Sequence, residues 1–550
     1  MKNKPNKSNS AAPGPAKIPG GKIFLYLTEF FAGMSVMAVE LGASRLLAPY
    51  FSSSQIVWTI IIGTIMIAMA LGNLYGGRMA DKKPDPASLY RRIVIAAIWI
   101  AAIPVLGKYV VVGVAGIMVI AVNTGFLIWA AFAACMVIFV FPLFLLGTVT
   151  PCLVKYAVQN LEDSGSTVGK LNASNTIGSI IGTFVPTFVT IPTVGTSITF
   201  IIFSCILMAL AVVFFAGTKQ GKGVCAVGIV LIILCAVFGY KSDFAFWEKN
   251  LTYEGESAYN YLQVFEDDSA VYLSTNVMIG VQSVYIKDGS LTGMYYDYAM
   301  AAPFMNGVHE KDEVKTLILG MGTGTFATQC DRYFDNVRSK GVEIDDKIIA
   351  LSRKYFGLSD NTEVVEYDGR AYLAADKEKY DVIMVDAYQD ITIPFQMSSV
   401  EFFTLVREHL AENGVMVVNM NMRGSGNLEP KDDINIWLAD TIASVFDNVY
   451  MADVSNGSNC ELFASQNPKM LEVMERNVAL EENTSLKRMM DRVTAGIRPY
   501  TGGNNIMTDD KAPVELLGMK IIDTLITDEL QYYKDILKEK GLKGLIDEIM

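Results

Sequence analysis

Apolar residues are concentrated in the first half of the chain, whereas the second half alternates between apolar and polar positions. Between residues 22 and 240, apolar stretches repeatedly reach the ~20 residues that a helix needs to cross a bilayer. Between Arg92 and Asn123 the pattern is interrupted by Pro104, so it predicts either one long kinked helix or two short ones. The chain is therefore predicted to have a transmembrane helical domain, residues 22–240, with seven or eight spans. The clear stretches lie near 23–48, 55–79, 125–150, 173–192, 197–216 and 223–240.

Basic residues predict the orientation of these spans. Lysines precede the first span and a cluster of Arg and Lys follows the second, which places both segments on the cytoplasmic side. Eight spans would return residues 241–550 to the cytoplasm, whereas Lys155, Lys170, Lys219 and Lys222 fit seven spans better. We predict a multi-pass protein of the cell membrane with a cytoplasmic soluble half, because the nucleoside ligands inferred below are cytoplasmic. Residues 1–21 are predicted to form a disordered basic tail.

Ionisable residues within the first span mark a second feature of the apolar half. Glu29, Glu40 and Arg45 would each be costly in hydrocarbon unless paired or facing a polar cavity. They are candidates for an internal polar site, and a Glu40–Arg45 pair that fixes helix packing is the alternative. Gly178 and Gly182 are four residues apart, the spacing that allows transmembrane helices to approach closely.

The soluble half contains a strand, a glycine turn, a helix, a second strand and an acid between Val314 and Asp345. Gly320, Gly322 and Gly324 allow the backbone to turn sharply and to approach a ligand. Glu343 follows about 20 residues later, where a carboxylate can accept both hydroxyls of a ribose. The unit predicts a nucleoside site, and an ordinary turn with a surface acid is the alternative.

Composition excludes several other classes of function. A net charge of −12 argues against a nucleic-acid partner, and no lysine follows the glycines as a Walker A loop would require. Two histidines are too few for a zinc centre or a serine–histidine hydrolase, and the scattered cysteines suggest core positions. The sequence therefore predicts no metal.

Further motifs carry a family resemblance. The soluble half reads ESAYNYLQVFEDDSAVYL from Glu256, VEYDGRAYL from Val365, YDVIMVDAY from Tyr380 and MTDDKAPVE from Met507. The apolar half contains VELGASRLLAPYFSSSQIVW and GKLNASNTIGSIIG. In their order and spacing these segments resemble the bacterial membrane-fused members of the spermidine synthase (polyamine aminopropyltransferase) family.

The resemblance implies an α-helical membrane domain fused to a soluble Rossmann-like α/β domain of the S-adenosylmethionine-dependent transferase type. A small N-terminal β-hairpin region would occupy residues 241–310, and the nucleoside-binding catalytic domain residues 311–550. Decarboxylated S-adenosylmethionine, or S-adenosylmethionine itself, would be the co-substrate. A small amine would be the acceptor, the lipid bilayer a partner, and a homodimer is plausible by the same resemblance.

Polar residues that follow successive strands predict the site. In a doubly wound sheet Glu343, Asp368 with Gly369, and Asp386 would emerge at one edge, around the nucleoside. The resemblance makes Asp386 the catalytic acid, and a capping role at the turn is the alternative. The remaining candidates are assigned to the amine substrate: Tyr259, Asn260, Tyr296 and Asp297 from the N-terminal β segments, with Tyr388 and Asp390 from the loop after Asp386. For the residues of the β segments, a position in the core is the alternative.

Two departures from the family pattern leave three hypotheses open. Thr323 stands where the family has an acid in the glycine turn, and Asp390 is displaced by one position from the family's second loop aspartate. The first hypothesis is a membrane-anchored aminopropyltransferase. The second is a methyltransferase-like enzyme that uses S-adenosylmethionine. The third is a polyamine transporter or sensor whose soluble half binds ligand without turnover.

Overall fold

The computed structural model describes residues 18–158, 164–241, 243–248, 251–277, 280–388, 393–421, 428–455 and 459–549. The chain forms two compact units. The first consists of residues 1–47, 57–115 and 130–242, and the second of residues 48–56, 116–129 and 243–550. Most of the predicted N-terminal tail, residues 1–17, lies outside the described residues.

The described residues of the N-terminal half form helices joined by short turns. Five of its helical segments are long and apolar enough to cross a membrane: Gly21–Phe51, Gln55–Lys82, Pro86–Val119, Val140–Ala157 and Ser164–Thr218. Pro104 lies inside one unbroken helix, so the stretch that was predicted as one long or two short helices is a single element. The helices are α1 (Gly21–Phe51), α2 (Gln55–Lys82), α3 (Pro86–Ala121), α4 (Phe126–Ile138), α5 (Val140–Gly147), α6 (Val149–Ala157), α7 (Ser164–Val185), α8 (Ile191–Thr218) and α9 (Lys222–Phe238), with a π-helical turn at Pro186–Thr190.

Small residues allow α7 to pack directly against the backbone of α1, as their spacing predicted. A Cβ atom added to Gly178 would lie 2.0 Å from the carbonyl oxygen of Phe30, and one added to Gly182 would lie 2.1 Å from that of Met34. Glu29 is fully buried in this unit. Its Oε1 accepts hydrogen bonds from Thr150 Oγ1 at 2.6 Å and Asn175 Nδ2 at 2.8 Å. Hydrogen bonding thus offsets part of the cost of burying the Glu29 carboxyl.

Gly178→Ala is expected to lower the thermal stability of the purified protein, because the new methyl group overlaps the α1 backbone. Overpacking of this kind costs about 1–3 kcal/mol. Gly169→Ala on the same helix is the matched control, since a Cβ atom there meets nothing within 4 Å. Thermal unfolding in detergent compares the two variants, and equal melting temperatures would contradict the close packing.

The second unit begins with an antiparallel sheet in the order β1-β2-β3-β4, inside the predicted small β region. Its strands are β1 (Leu251–Glu256), β2 (Tyr261–Glu266), β3 (Ala270–Ser274) and β4 (Ser283–Ile286). Two short helices follow, α10 (Tyr295–Ala299) and α11 (Ala301–Asn306). Tyr296 and Asp297 were expected in β segments and instead lie in α10. The aspartate accepts hydrogen bonds from the backbone of Thr292 and Gly293, which fixes the chain at the start of this helix.

The rest of the unit is a sheet in the order β12-β10-β11-β9-β8-β5-β6-β7 with helices packed on it. The strands from β9 to β7 in this order are parallel to their neighbours, whereas β11 is antiparallel to β9 and β10. The strands are β5 (Val314–Leu319), β6 (Val337–Glu343), β7 (Glu363–Glu366), β8 (Tyr380–Val385), β9 (Leu410–Met420), β10 (Asn448–Asp453), β11 (Cys460–Ser465) and β12 (Arg498–Pro499). The helices are α12 (Thr325–Tyr333), α13 (Asp346–Tyr355), α14 (Gly369–Ala375), α15 (Val400–His409), α16 (Ile434–Ala443), α17 (Met470–Leu480), α18 (Thr484–Gly496) and α19 (Val514–Ile549).

The strand order fixes where a ligand can bind. Strand β5 is flanked by β6 on one side and β8 on the other, so the connections after β5 and β8 lead to opposite sides of the sheet. A crevice opens at such a switch point, outside the carboxyl ends of the strands. The predicted residues Glu343, Asp368 and Asp386 all lie at this edge, at or just after the ends of β6, β7 and β8.

Candidate active site

The glycine turn after β5 brings the backbone close to the loop that follows β8. Gly320 has a φ of +80°, and a Cβ atom there would lie 2.4 Å from the Cα atom of Ala387. Its amide donates to the carbonyl of Val342 at 2.9 Å, which continues the pairing of β5 with β6. No other residue could occupy position 320 without moving one of these segments.

Glu343 closes the turn from the neighbouring strand. Its Oε2 accepts the amide N–H of Gly322 at 2.8 Å, and its Oε1 accepts the amide N–H of Asp345 at 3.1 Å. Burial raises the pKa of Glu343 to about 7, and the two amide donors act in the opposite direction. Each carboxylate oxygen has a second lone pair, so both could also accept a hydroxyl from a ligand.

Asp368 caps the helix that follows β7. Its Oδ1 accepts the amide N–H of Ala371 at 2.8 Å, which fixes the carboxyl group at the start of α14. Asp368 and Gly369 both line the cavity described below. The second oxygen of Asp368 could accept a hydrogen bond from a ligand amino group.

Asp386 follows β8, and both of its carboxyl oxygens are hydrogen-bonded. Its Oδ2 accepts the hydroxyl of Tyr295 at 2.7 Å, and its Oδ1 accepts Asn419 Nδ2 at 2.9 Å. Burial raises the pKa of Asp386 to about 7, although both hydrogen bonds stabilise the carboxylate. Both of these partners are side chains from distant segments, and the loop from residue 389 to residue 392 lies outside the described residues. A carboxyl group with this pKa can take up or release a proton near neutral pH.

One cavity joins these groups. It has about 1090 Å³ of free space, part of it open to solvent, and Glu343, Asp368 and Asp386 all line it. Among the described residues that line it, none is Lys or Arg. The described lining is therefore acidic, and it suits a ligand with positive charge and hydrogen-bond donors. Apolar contacts come from Met321, Ile344, Ile348, Pro394 and Met397.

Most of the other predicted site residues also lie at this cavity. Those that line it are Gly320, Gly322, Tyr259, Asn260, Tyr296 and Tyr388. Asn260 Nδ2 donates to Asp345 at 3.0 Å, and the hydroxyl of Tyr296 donates to the carbonyl of Gln282 at 2.7 Å. The β region and the large sheet therefore contribute to one site.

The structure does not bring every predicted residue to the cavity. Gly324 forms the turn, with a φ of +82°, but does not line the cavity. Asp297 is 1% exposed and accepts hydrogen bonds from the Thr292 and Gly293 backbone and from Gln329, so its carboxylate is used within the protein. Asp390 lies outside the described residues.

Sequence reasoning missed the two residues that hold Asp386. Tyr295 precedes a predicted site residue in α10, and nothing in its local pattern distinguishes it from a core tyrosine. Asn419 did carry a signal, because it is a polar residue near the end of the apolar strand Val415–Met420. The position of Asn419 in β9 is equivalent to the positions of Glu343 in β6 and of Asp386 after β8.

Comparison with known proteins identifies the family. The sequence model of the spermine/spermidine synthase domain matches residues 298–452. The chain is 48% identical over 355 residues to the probable polyamine aminopropyl transferase of Bifidobacterium longum, and the alignment covers 62% of this chain and 78% of that protein. The chain belongs to the spermine/spermidine synthase family. Because the aligned residues outnumber those from residue 241 to residue 550, the similarity extends into the apolar half.

More distant relatives match a smaller share of the chain. The polyamine aminopropyltransferase of Vibrio vulnificus is 27% identical over 201 residues, which cover 35% of this chain and 65% of that protein. The crystal structure of spermidine synthase from Thermotoga maritima is 21% identical, with a TM-score of 0.36, and the match covers 44% of this chain and 84% of that one.

Membership confirms the resemblance predicted from the sequence motifs. The chain is an enzyme of the aminopropyltransferase class. The predicted fold class, an apolar helical half joined to a Rossmann-like α/β half, is also confirmed.

Proposed function

We propose that this enzyme transfers an aminopropyl group from decarboxylated S-adenosylmethionine to a small amine such as putrescine, and that its apolar half anchors it in a bilayer. The observation that carries the proposal is the position of Asp386. Its carboxyl group lies in the same cavity as Glu343 and is held by Tyr295 and Asn419. One acidic site thus combines Glu343, which would bind the nucleoside, with Asp386, which would accept a proton.

The charge of the cavity supports the decarboxylated donor. S-adenosylmethionine carries a carboxylate that would need a basic partner, and the described lining residues include no Lys or Arg. The decarboxylated form keeps the sulfonium and the ammonium but lacks this carboxylate, so its positive charge suits a site lined by three carboxyl groups. Thr323, in the position of the family's acid, does not line the cavity, so the ammonium would depend on the other acids.

The reaction is a displacement at carbon. In its neutral form the acceptor amine attacks the aminopropyl carbon bonded to sulfur, so that a C–N bond forms as the C–S bond breaks. The electron pair of the C–S bond remains on sulfur, which leaves neutral methylthioadenosine, and the amine proton passes to Asp386. Glu343 would hold the ribose hydroxyls, which fixes the sulfonium in line with the amine. With a pKa of about 7, Asp386 is a better proton acceptor than an exposed aspartate.

Release of methylthioadenosine tests the proposal. Purified full-length protein is expected to release it from decarboxylated S-adenosylmethionine only when putrescine or another amine is present. S-adenosylmethionine is expected to be a poor substitute. Transfer of a methyl group from S-adenosylmethionine, with no reaction of the decarboxylated form, would support the methyltransferase alternative and overturn the proposal.

The pH dependence of kcat/KM tests the role of Asp386. The ionised form accepts the proton, so activity should rise as pH increases through about 7. Tyr295→Phe removes a hydrogen bond that lowers the pKa of Asp386, so the acid limb should move to higher pH. Tyr298→Phe on the same helix is the matched control, because that hydroxyl pairs with Ser455 and does not line the cavity. An unshifted limb in Tyr295→Phe would contradict the role of this hydrogen bond.

The long apolar helices support anchoring in the cell membrane. The protein should remain in the membrane pellet after a carbonate wash and should be released by detergent. We place the catalytic half in the cytoplasm, which requires an even number of crossings if the basic N-terminal segment is cytoplasmic. Labelling of a cysteine introduced at the exposed residue Asp360 in intact cells measures the side directly. Labelling by a reagent that cannot cross the membrane would contradict the cytoplasmic placement.

A further inference from the structure

A second buried carboxyl group lies two strands away from Asp386 in the large sheet. Glu461 is the second residue of β11 and is 0% exposed. Among the described residues, neither of its carboxyl oxygens has a hydrogen-bond partner. Burial raises the pKa of Glu461 well above its usual range, and the nearby Asp386 acts in the same direction. A buried carboxyl without a partner is costly, so its position calls for an explanation.

The sheet register places Glu461 relative to the reacting acid. Val385 pairs with Val418, so Asp386, the next residue, is level with Asn419. Asn419 in turn pairs with Glu461 across β9 and β11. The backbones of Asp386 and Glu461 are therefore two strand spacings apart, which is about 10 Å. The three side chains lie in one row across the sheet, with Asn419 donating to Asp386 from the centre.

The same row lies on the substrate face of the sheet. Val417 and Phe463 occupy the next row on this face, and both belong to the core that contains Tyr295 and Tyr298 of α10. Because β11 is antiparallel to β9, its beginning lies at the edge where the parallel strands end. Glu461 is therefore at the ligand-binding edge, although it belongs to a strand of opposite direction.

The strand order predicts that the nucleoside and the acceptor amine bind on opposite sides of β8. Glu343 and Asp368 come from β6 and β7, on one side of β8, and they define the nucleoside side. Strands β9 and β11 lie on the other side of β8. An acceptor that reacts beside Asp386 would extend away from the nucleoside, toward Asn419 and Glu461, which lie behind the described lining of the cavity.

We propose that Glu461 is a specificity-determining residue that binds the second ammonium group of a diamine acceptor, whose first nitrogen reacts beside Asp386. The inference rests on the proposed aminopropyl transfer. An aliphatic α,ω-diamine carries one nitrogen for each carboxyl group, and its methylenes would lie across Asn419. An ammonium group would supply the donors that Glu461 lacks among the described residues, whereas a monoamine would leave this carboxyl unpartnered.

Putrescine and n-butylamine form the matched pair of substrates, because they share a four-carbon chain and differ in the second nitrogen. The wild-type enzyme is expected to prefer putrescine in kcat/KM by at least tenfold. Glu461→Gln should remove most of this preference, mainly by raising the KM for putrescine. The KM for decarboxylated S-adenosylmethionine should stay unchanged. Glu472→Gln, at an exposed position of α17, is the control and should keep the wild-type ratio.

Glu461→Asp provides a second readout that depends on chain length. The carboxyl group withdraws by one methylene, so the preferred diamine should become one carbon longer than that of the wild type. Both effects would be absent if Glu461 only supported the fold. An unchanged ratio in Glu461→Gln, or an equal loss for both amines, would overturn the proposal.

The outcome also separates this inference from the proposed function. If the wild-type enzyme uses putrescine and n-butylamine equally well, aminopropyl transfer stands and the role of Glu461 falls. If the wild-type enzyme releases no methylthioadenosine with any amine, the proposed function itself is contradicted.

Discussion

Asp386→Asn is expected to lower kcat for methylthioadenosine release by about 10²–10⁴-fold, the usual contribution of general acid–base catalysis. An amide has nearly the same shape as the carboxyl group but cannot accept the amine proton. The fold should survive, because the amide oxygen can still accept one hydrogen bond and the hydroxyl of Tyr295 can act as acceptor or donor. Binding of methylthioadenosine should therefore change little.

Steady-state kinetics with decarboxylated S-adenosylmethionine and putrescine measure this loss. Asp360→Asn is the matched control, since its side chain is fully exposed and it precedes the start of β7, whereas the site lies at the carboxyl ends of the strands. A turnover number within threefold of the wild type in Asp386→Asn would contradict the assignment of the proton acceptor.

Glu343→Gln is expected to weaken nucleoside binding by about 10–100-fold. Hydrogen bonds to a charged group contribute roughly 1.5–3 kcal/mol, and about 1.4 kcal/mol corresponds to tenfold in affinity. In the native turn both carboxylate oxygens accept backbone amides, from Gly322 and Asp345. A glutamine must turn its NH2 group toward one of these donors, so the substitution disturbs the turn and also removes a ribose acceptor.

Calorimetry with methylthioadenosine measures this effect. Glu366→Gln is the matched control, because Glu366 pairs with Glu343 in the neighbouring strand and is exposed. Equal affinity in the wild type and Glu343→Gln would contradict the ribose assignment, whatever the effect on turnover.

The fold was predictable wherever one pattern dominated. Long apolar runs predicted the helical half. A short apolar strand followed by a glycine turn predicted β5, and strands followed by an acid predicted β6 and β8. Tyr296 and Asp297 were harder, because tyrosines favour strands by local preference. The helix α10 instead depends on hydrogen bonds from Thr292 and Gly293 to Asp297. Such tertiary contacts leave no periodic signal in the sequence.

The site was predictable where a motif follows a strand and was not predictable where partners come from distant segments. Glu343, Asp368 and Asp386 were found because parallel strands end at one edge. Tyr295 is 91 positions from Asp386 and contacts it only through the packing of α10 on the sheet. Glu461 was missed for a related reason, since it lies at the start of an antiparallel strand, where the rule for strand ends does not apply.

The most direct test of the account is a structure of the full-length protein with methylthioadenosine bound. We predict that both ribose hydroxyls lie within about 3.2 Å of the Glu343 carboxylate, with the sulfur atom on the side of the cavity nearest Asp386. A nucleoside bound elsewhere, or one whose sulfur faces away from Asp386, would contradict the account.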